Sequence, residues 1–151
     1  MLSWKVKTFK QLSIEELYEI VQLRIEVFVV EQDCSYQELD GKDQVAHHLL
    51  GYVDGKLQAY SRLFKSGLVS EEASIGRVIV RETGRKKGYG QALLEESITY
   101  IENEFKDHFI LIHAQEYLDD FYQSFGFKPV TEVYLLDGIN HLDMRREGSL
   151  K

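Results

Sequence analysis

Ile75-Gly76-Arg77-Val78-Ile79-Val80, then Arg85-Lys86-Lys87-Gly88-Tyr89-Gly90, then Gln91-Ala92-Leu93-Leu94 follow one another through the middle of the chain. The first stretch is short and β-branched, the pattern of a buried strand. The last opens a segment, Gln91 to Phe105, in which Leu94, Ile98, Ile101 and Phe105 recur at helical spacing. Between them lies a basic turn with two glycines. Helix N-termini carry unpaired N–H groups and partial positive charge, so they bind phosphate. Gly88 and Gly90 let the backbone approach an anion closely. Arg85, Lys86 and Lys87 add three positive charges, and Arg85 offers a planar fork to phosphate oxygens. The Walker pattern fails, because Gln91 follows Gly90. The dinucleotide fingerprint fails too, because Leu93 stands where a third small residue is needed. On these residues alone, a phosphate cradle and a solvated basic turn remain equally good readings.

Working outward, Ile110 to Ile112 forms another buried strand, followed by a short helix over Leu118 to Phe125 that Gly126 stops. Two strands, about Val130 to Leu135 and His141 to Arg145, flank Asp137-Gly138, a hairpin turn. Toward the N-terminus, His48 to Val53 and Lys56 to Phe64 flank a second such turn, Asp54-Gly55. Gln32 to Gln44 is polar, contains Asp40-Gly41 and reads as a loop. Ser13 and Glu16 have capping-box spacing. Leu17, Val21 (or Ile20), Ile25 and Phe28 follow at helical intervals. Trp4 to Phe9 is a first strand. The order β-α-ββ-β-α-β-α-β-β predicts an α/β (α+β) architecture, with helices packed on a mostly antiparallel sheet.

The 151 residues amount to about one domain, 1–151, and 44% are hydrophobic, enough for one core. A single proline and no linker-like stretch leave no internal boundary. The net charge of -7 argues against a nucleic-acid or anionic-membrane surface, and no apolar run is long enough to cross a bilayer. The start, Met1-Leu2-Ser3-Trp4-Lys5, lacks a secretory pattern, and the lone Cys34 suits a reducing compartment. A cytoplasmic location is expected. Exposed strand edges offer a route to a homodimer.

The Arg85 to Gly90 segment matches the Arg/Gln-x-x-Gly-x-Gly/Ala signature of the GNAT acetyltransferase superfamily. Val80 stands five positions before it. Ala114-Gln115 and Phe121-Tyr122-Gln123-Ser124-Phe125-Gly126-Phe127 resemble that superfamily's second acetyl-CoA element, with its Tyr-x-x-x-Gly-Phe core. Arg24 to Gln32, Asp40-Gly41-Lys42-Asp43 and His48-Leu49-Leu50-Gly51 are similar to the ElaA-like branch, so the resemblance covers nearly the whole chain. It implies a GNAT-type acyl-CoA N-acyltransferase fold, a mixed sheet with helices on both faces. It also implies acetyl-CoA as co-substrate, no metal, and a small-molecule or peptide amine as acceptor.

The resemblance further implies site roles. Val78, Ile79 and Val80 would lie along the pantetheine arm. Arg85, Lys86, Lys87, Gly88, Tyr89 and Gly90 would wrap the diphosphate, and Tyr122 would protonate the CoA thiolate. Gln115 stands where many members carry Asn, so an amide is kept but lengthened. Backbone N–H groups at Val78 to Val80 suit the tetrahedral oxyanion. The general base is open among Glu31, His47, His48, His113 and Glu116. Glu31 is taken first, because it follows the apolar run Val27 to Val30, where desolvation favours a proton-accepting carboxylate. The acceptor is expected to meet Arg24, Phe28, Glu31, His48, Arg62 and Arg77. For Arg62 and Arg77 the alternative is an ion pair with Asp40, Asp43 or Glu31, since buried arginines require partners.

Two other functions fit parts of the pattern. Arg24, Phe28, Asp40-x-x-Asp43 and Arg62 resemble acyl-homoserine-lactone synthases, which share the fold. A non-catalytic acyl-CoA sensor would keep the loop and need no proton transfer.

Overall fold

The computed structural model describes residues 1–148. Strand β1 (Ser3–Thr8) leads into helix α1 (Ile14–Ile25), and the Ser13/Glu16 capping box closes in both directions. The Glu16 N–H donates to Ser13 Oγ at 3.0 Å, and the Ser13 N–H donates to Glu16 Oε1 at 2.8 Å. A π-helical turn, Glu26–Glu31, extends α1. Its buried stripe is Ile20, Leu23, Arg24 and Val27, while Ile25 is 37% exposed. Of the expected positions, Ile20, the alternative to Val21, is buried, while the place given to Ile25 is taken by Leu23 and Arg24. The reason is Arg24, a charged residue on the apolar face, which displaces any reading that counts only apolar positions.

Strands β2 (His47–Val53) and β3 (Lys56–Phe64) form the expected hairpin. Asp54 (φ 51°) and Gly55 (φ 76°) both take the left-handed conformation that such two-residue turns require. Strand β4 (Ala73–Val80), helix α2 (Tyr89–Tyr100), strand β5 (Phe109–Gln115) and the short helix α3 (Asp119–Gln123) follow. The strand expected over Val130 to Leu135 is two pieces instead, β6 (Phe127–Pro129) and β7 (Tyr134–Leu136), both paired with β8 (Ile139–Glu147). Between them the Val130 N–H donates to Asp143 O at 2.9 Å, and the Asp143 N–H donates to Thr131 Oγ1 at 3.0 Å. A side chain thus completes the ladder that a continuous strand would have made.

The strand order is β1-β2-β3-β4-β5-β8-β6, with β7 on the end of β8. Every pairing is antiparallel except β4 with β5, which are parallel and meet at only Ala73–Ile110 and Ser74–Leu111. Beyond Ser74 the two strands part. Helices α2 and α3 cover one face over Leu93, Leu94, Ile98, Ile112, Tyr122 and Leu142. Helix α1 covers the other through Ile20, Leu23, Val27, Leu50, Leu57 and Ile79. Each wholly buried Leu or Ile contributes about 1.5–3 kcal/mol. The two cores thus pack the sheet from both sides. No helix of the described residues is long and apolar enough to cross a membrane.

Candidate active site

Where β4 and β5 part, a cleft of about 730 Å3 opens, lined by Ile75 to Val80 on one wall and by Ile112, His113 and Gln115 on the other. That is the usual size for a small-molecule site. The wall on β4 is bulged. Arg62 faces Gly76 and Tyr60 faces Ile79, so two residues, Arg77 and Val78, stand where the partner strand has one. Arg77 takes φ 50°, a left-handed conformation that costs a residue with a side chain roughly 1–2 kcal/mol. Its guanidinium is held by Glu38 and Asp40, which anchors the bulge. The bulge re-aims the backbone of Arg77 and Val78 into the split, where β5 no longer pairs with it.

At one end of the cleft sits the basic loop. Gly88 (φ 80°) caps the start of α2, and the Ala92 N–H is the first to close onto Gly88 O, at 3.1 Å. The N–H groups of Tyr89, Gly90 and Gln91 therefore lie ahead of the helical ladder. Arg85, Lys86, Gly88, Tyr89 and Gly90 line the cleft, whereas Lys87 is exposed outside it. Arg85 Nε donates to Val80 O at 3.0 Å, and its Nη2 lies 2.8 Å from Glu31 Oε2. Glu31, expected to take the proton, is thus ion-paired at the end of the cleft that holds the basic loop. Tyr122 lines the cleft from α3, and burial raises its phenol well above the ordinary tyrosine range. It stays a protonated donor at neutral pH.

Over the split arches the segment 32–43, pinned by a network of three arginines and three carboxylates. Arg24, wholly buried, reaches Glu38 Oε2 and Asp43 Oδ1, each at 2.7 Å. Arg62 reaches Asp40 Oδ2 at 2.8 Å and Asp43 Oδ1 at 3.0 Å. Arg77 Nε reaches Glu38 Oε2 at 2.7 Å. Burial alone would raise the Asp43 carboxyl, but hydrogen bonds and charge from Arg24 and Arg62 outweigh it and hold the group below the usual carboxylate range. His48, also wholly buried, donates from Nε2 to Asp43 O at 3.0 Å and accepts the Tyr60 hydroxyl at Nδ1, 2.6 Å away. Desolvation lowers its pKa. Arg24, His48 and Arg62, read from the sequence as acceptor contacts, do not line the cleft; they hold its roof. The ion-pair alternative describes Arg62 and Arg77, with Asp40, Asp43 and Glu38 as partners.

The far edge of the roof is tied to β5 and to the turn between β7 and β8. Gln32 and Gln115 exchange two amide hydrogen bonds, at 3.2 and 3.3 Å, so Gln115 is engaged across the cleft. Cys34 Sγ donates to Asp137 O at 3.2 Å. Phe28 and Arg77 complete the expected residues that line the cleft. Tyr36, Gln32 and His141 line it without having been singled out from the sequence. A local signal existed only for His141, which opens the last predicted strand.

The family model of the acetyltransferase (GNAT) domain matches residues 9–147. The chain is similar to Protein ElaA of Escherichia coli (strain K12), 44% identical over 149 residues that cover 97% of each chain. The crystal structure of Escherichia coli ElaA superposes with a TM-score of 0.91, over 97% of this chain and 100% of that one. An acyl-CoA N-acyltransferase from Pseudomonas aeruginosa also reaches 0.91, at 42% identity, over 97% of this chain and 99% of that one. A GNAT family acetyltransferase from Elizabethkingia anophelis, solved with acetyl-CoA bound, shares the fold at a TM-score of 0.69 and 15% identity, over 97% of each chain.

Proposed function

The chain belongs to the GNAT acetyltransferase family, and from that premise we propose that it transfers an acetyl group from acetyl-CoA to a primary amine of a small molecule or peptide, by direct attack in a ternary complex. The observation that carries the reading is the split between β4 and β5, with a basic helix-start loop at one end and a bulged, unpaired strand edge along its wall. The acetyl-CoA held by the Elizabethkingia relative supports acetyl as the transferred group.

In this reading the N–H groups at the start of α2, with Arg85 and Lys86, take the diphosphate. The pantetheine arm lies along Val78 to Val80, and the bulged backbone there donates to the oxyanion as the tetrahedral intermediate forms. Tyr122 donates its phenolic proton to the departing thiolate. Burial makes it a weaker acid than an exposed tyrosine, so its contribution comes from position in a water-poor site. Phe28 and Arg77 face the acceptor. Screening an amine library with acetyl-CoA, with free thiol as the readout, tests the proposal. A transferase releases thiol with at least one amine and makes the acetylated product. Binding of acetyl-CoA with no turnover on any amine would leave only a sensor.

A further inference from the structure

Amine acetylation needs the lone pair of an unprotonated nitrogen, and an alkylamine with a pKa of about 10.4 reaches the site as its ammonium at neutral pH. Some group must take that proton. Among the carboxylates and imidazoles at hand, Glu31 is held by Arg85 at 2.8 Å, and His48 is sealed between Tyr60 and Asp43. His47 packs against Tyr100 and Phe105, away from the cleft. Glu116 accepts from Asn140 and does not line the cleft.

His113 is different. It lines the cleft from β5 with its side chain 54% exposed, opposite Asp143 in the β5–β8 register. Its Nδ1 lies 2.6 Å from Asp143 Oδ1, and the Tyr134 hydroxyl donates to the same carboxylate oxygen. A carboxylate only accepts, so Nδ1 carries the hydrogen and the Nε2 lone pair is left for the cleft. Asp143 cannot drift, because Val130 and Thr131 bind its backbone on both sides. His141, whose ring stacks on Tyr134, also lines the cleft, but its Nδ1 is satisfied by Ile139 O at 2.8 Å, with no carboxylate behind it. Across the cleft the charges of Arg77 and Glu38 neutralise one another.

We propose that Nε2 of His113 accepts the ammonium proton of an alkylamine acceptor, with Asp143 and Tyr134 as the residues that orient the ring. This rests on the acyl-transfer reading above. The freed amine attacks the thioester carbonyl; the C–N bond forms and the C–S bond breaks. Tyr122 protonates the departing sulfur and is reprotonated by the second amine proton as the intermediate collapses, while His113 returns the first to solvent. An arylamine, already neutral at pH 7, needs no such step. The acceptor class is therefore a basic alkylamine.

The test uses the full chain and two readouts. Imidazole 15N NMR of the wild type is expected to show His113 as the Nδ1–H tautomer, and Asp143→Asn to shift it toward Nε2–H. In kinetics with the alkylamines and arylamines of the library, His113→Gln lowers kcat/KM for alkylamines about 10²-fold or more. It also leaves their rates rising with pH toward the amine's own pKa of about 10.4, changes arylamine rates little, and leaves acetyl-CoA affinity as it was. A wild-type Nε2–H tautomer, or an unchanged alkylamine rate and pH profile in His113→Gln, overturns the base role alone. No turnover of any amine by the wild type overturns acyl transfer, and the base role with it.

Discussion

Glu31 Oε2 lies 2.8 Å from Arg85 Nη2, so the carboxylate that ends the π-helical turn occupies the arginine expected to grip a diphosphate. The two groups compete for one partner. Glu31→Gln is therefore expected to tighten acetyl-CoA binding, and Arg85→Ala to weaken it. The pair is partly exposed, which limits the first gain to about 0–1 kcal/mol, a few-fold in dissociation constant. Titration calorimetry of both variants measures it. An unchanged affinity in Arg85→Ala removes the loop assignment.

Tyr122→Phe deletes one hydroxyl from a buried ring that packs edge-on against Phe121 and Phe127. The fold and acetyl-CoA affinity are expected to persist while kcat falls by about 10²-fold. Thiol release under saturating acetyl-CoA, beside a binding isotherm, separates the two.

Gly88 and Gly90 are expected to behave differently. Gly88 sits at φ 80°, so Gly88→Ala strains the backbone by roughly 1–2 kcal/mol and shifts the loop, although a Cβ there meets nothing within 4 Å. A Cβ on Gly90 comes only within 3.8 Å of Val80 and 3.9 Å of Phe121, ordinary contact distances. Gly90→Ala should melt like the wild type, so a loss of acetyl-CoA affinity in it reports close approach of the ligand itself. Thermal melts with and without acetyl-CoA read both.

Arg24→Met leaves Glu38 and Asp43 short of a buried partner, and the expected loss is about 3–5 kcal/mol. A urea midpoint indistinguishable from the wild type would mean that the network carries no net stability.

Acid should weaken the roof in two stages. His48 has a lowered folded pKa, so its contribution is present above the unfolded value near ~6.5 and is lost as pH falls below it. Asp40 and Asp43 are also lowered, so theirs is present above about pH 4 and is lost as pH falls toward their folded values. Urea midpoints should drop modestly from pH 7 to 5.5 and more steeply below pH 4. Arg62→Ala, which strips a partner from both aspartates, should flatten the second drop.

Much of the chain was legible because its signals are local. The capping box at Ser13, the turns at Asp54-Gly55 and Asp137-Gly138 and the loop at Arg85 to Gly90 each depend on neighbouring backbone geometry that a few residues dictate. Arg24 was misplaced because a charged side chain says nothing locally about whether it meets solvent, ligand or a partner 14 or more positions away, and His48 because its partners, the Tyr60 hydroxyl and the Asp43 carbonyl, stand on other elements. The break of the last sheet edge into β6 and β7 likewise hangs on Thr131 reaching Asp143, a side-chain bond that no periodicity encodes.

Taken alone, the amino-acid sequence determined the element order up to the last sheet edge, the hairpins and the basic loop that opens a helix, all set by propensity, spacing and glycine placement within one or two turns of chain. Tertiary structure decided the rest. The parting of β4 from β5 after Ser74, the roof clamped by Arg24, Arg62 and Arg77, and the meeting of His113 with Asp143 across 30 positions come from strand register and long-range ion pairing. Such contacts form only when separate elements pack together, so a glycine-rich basic turn before a helix can be read from its own residues, whereas the side chains that meet around the cleft cannot.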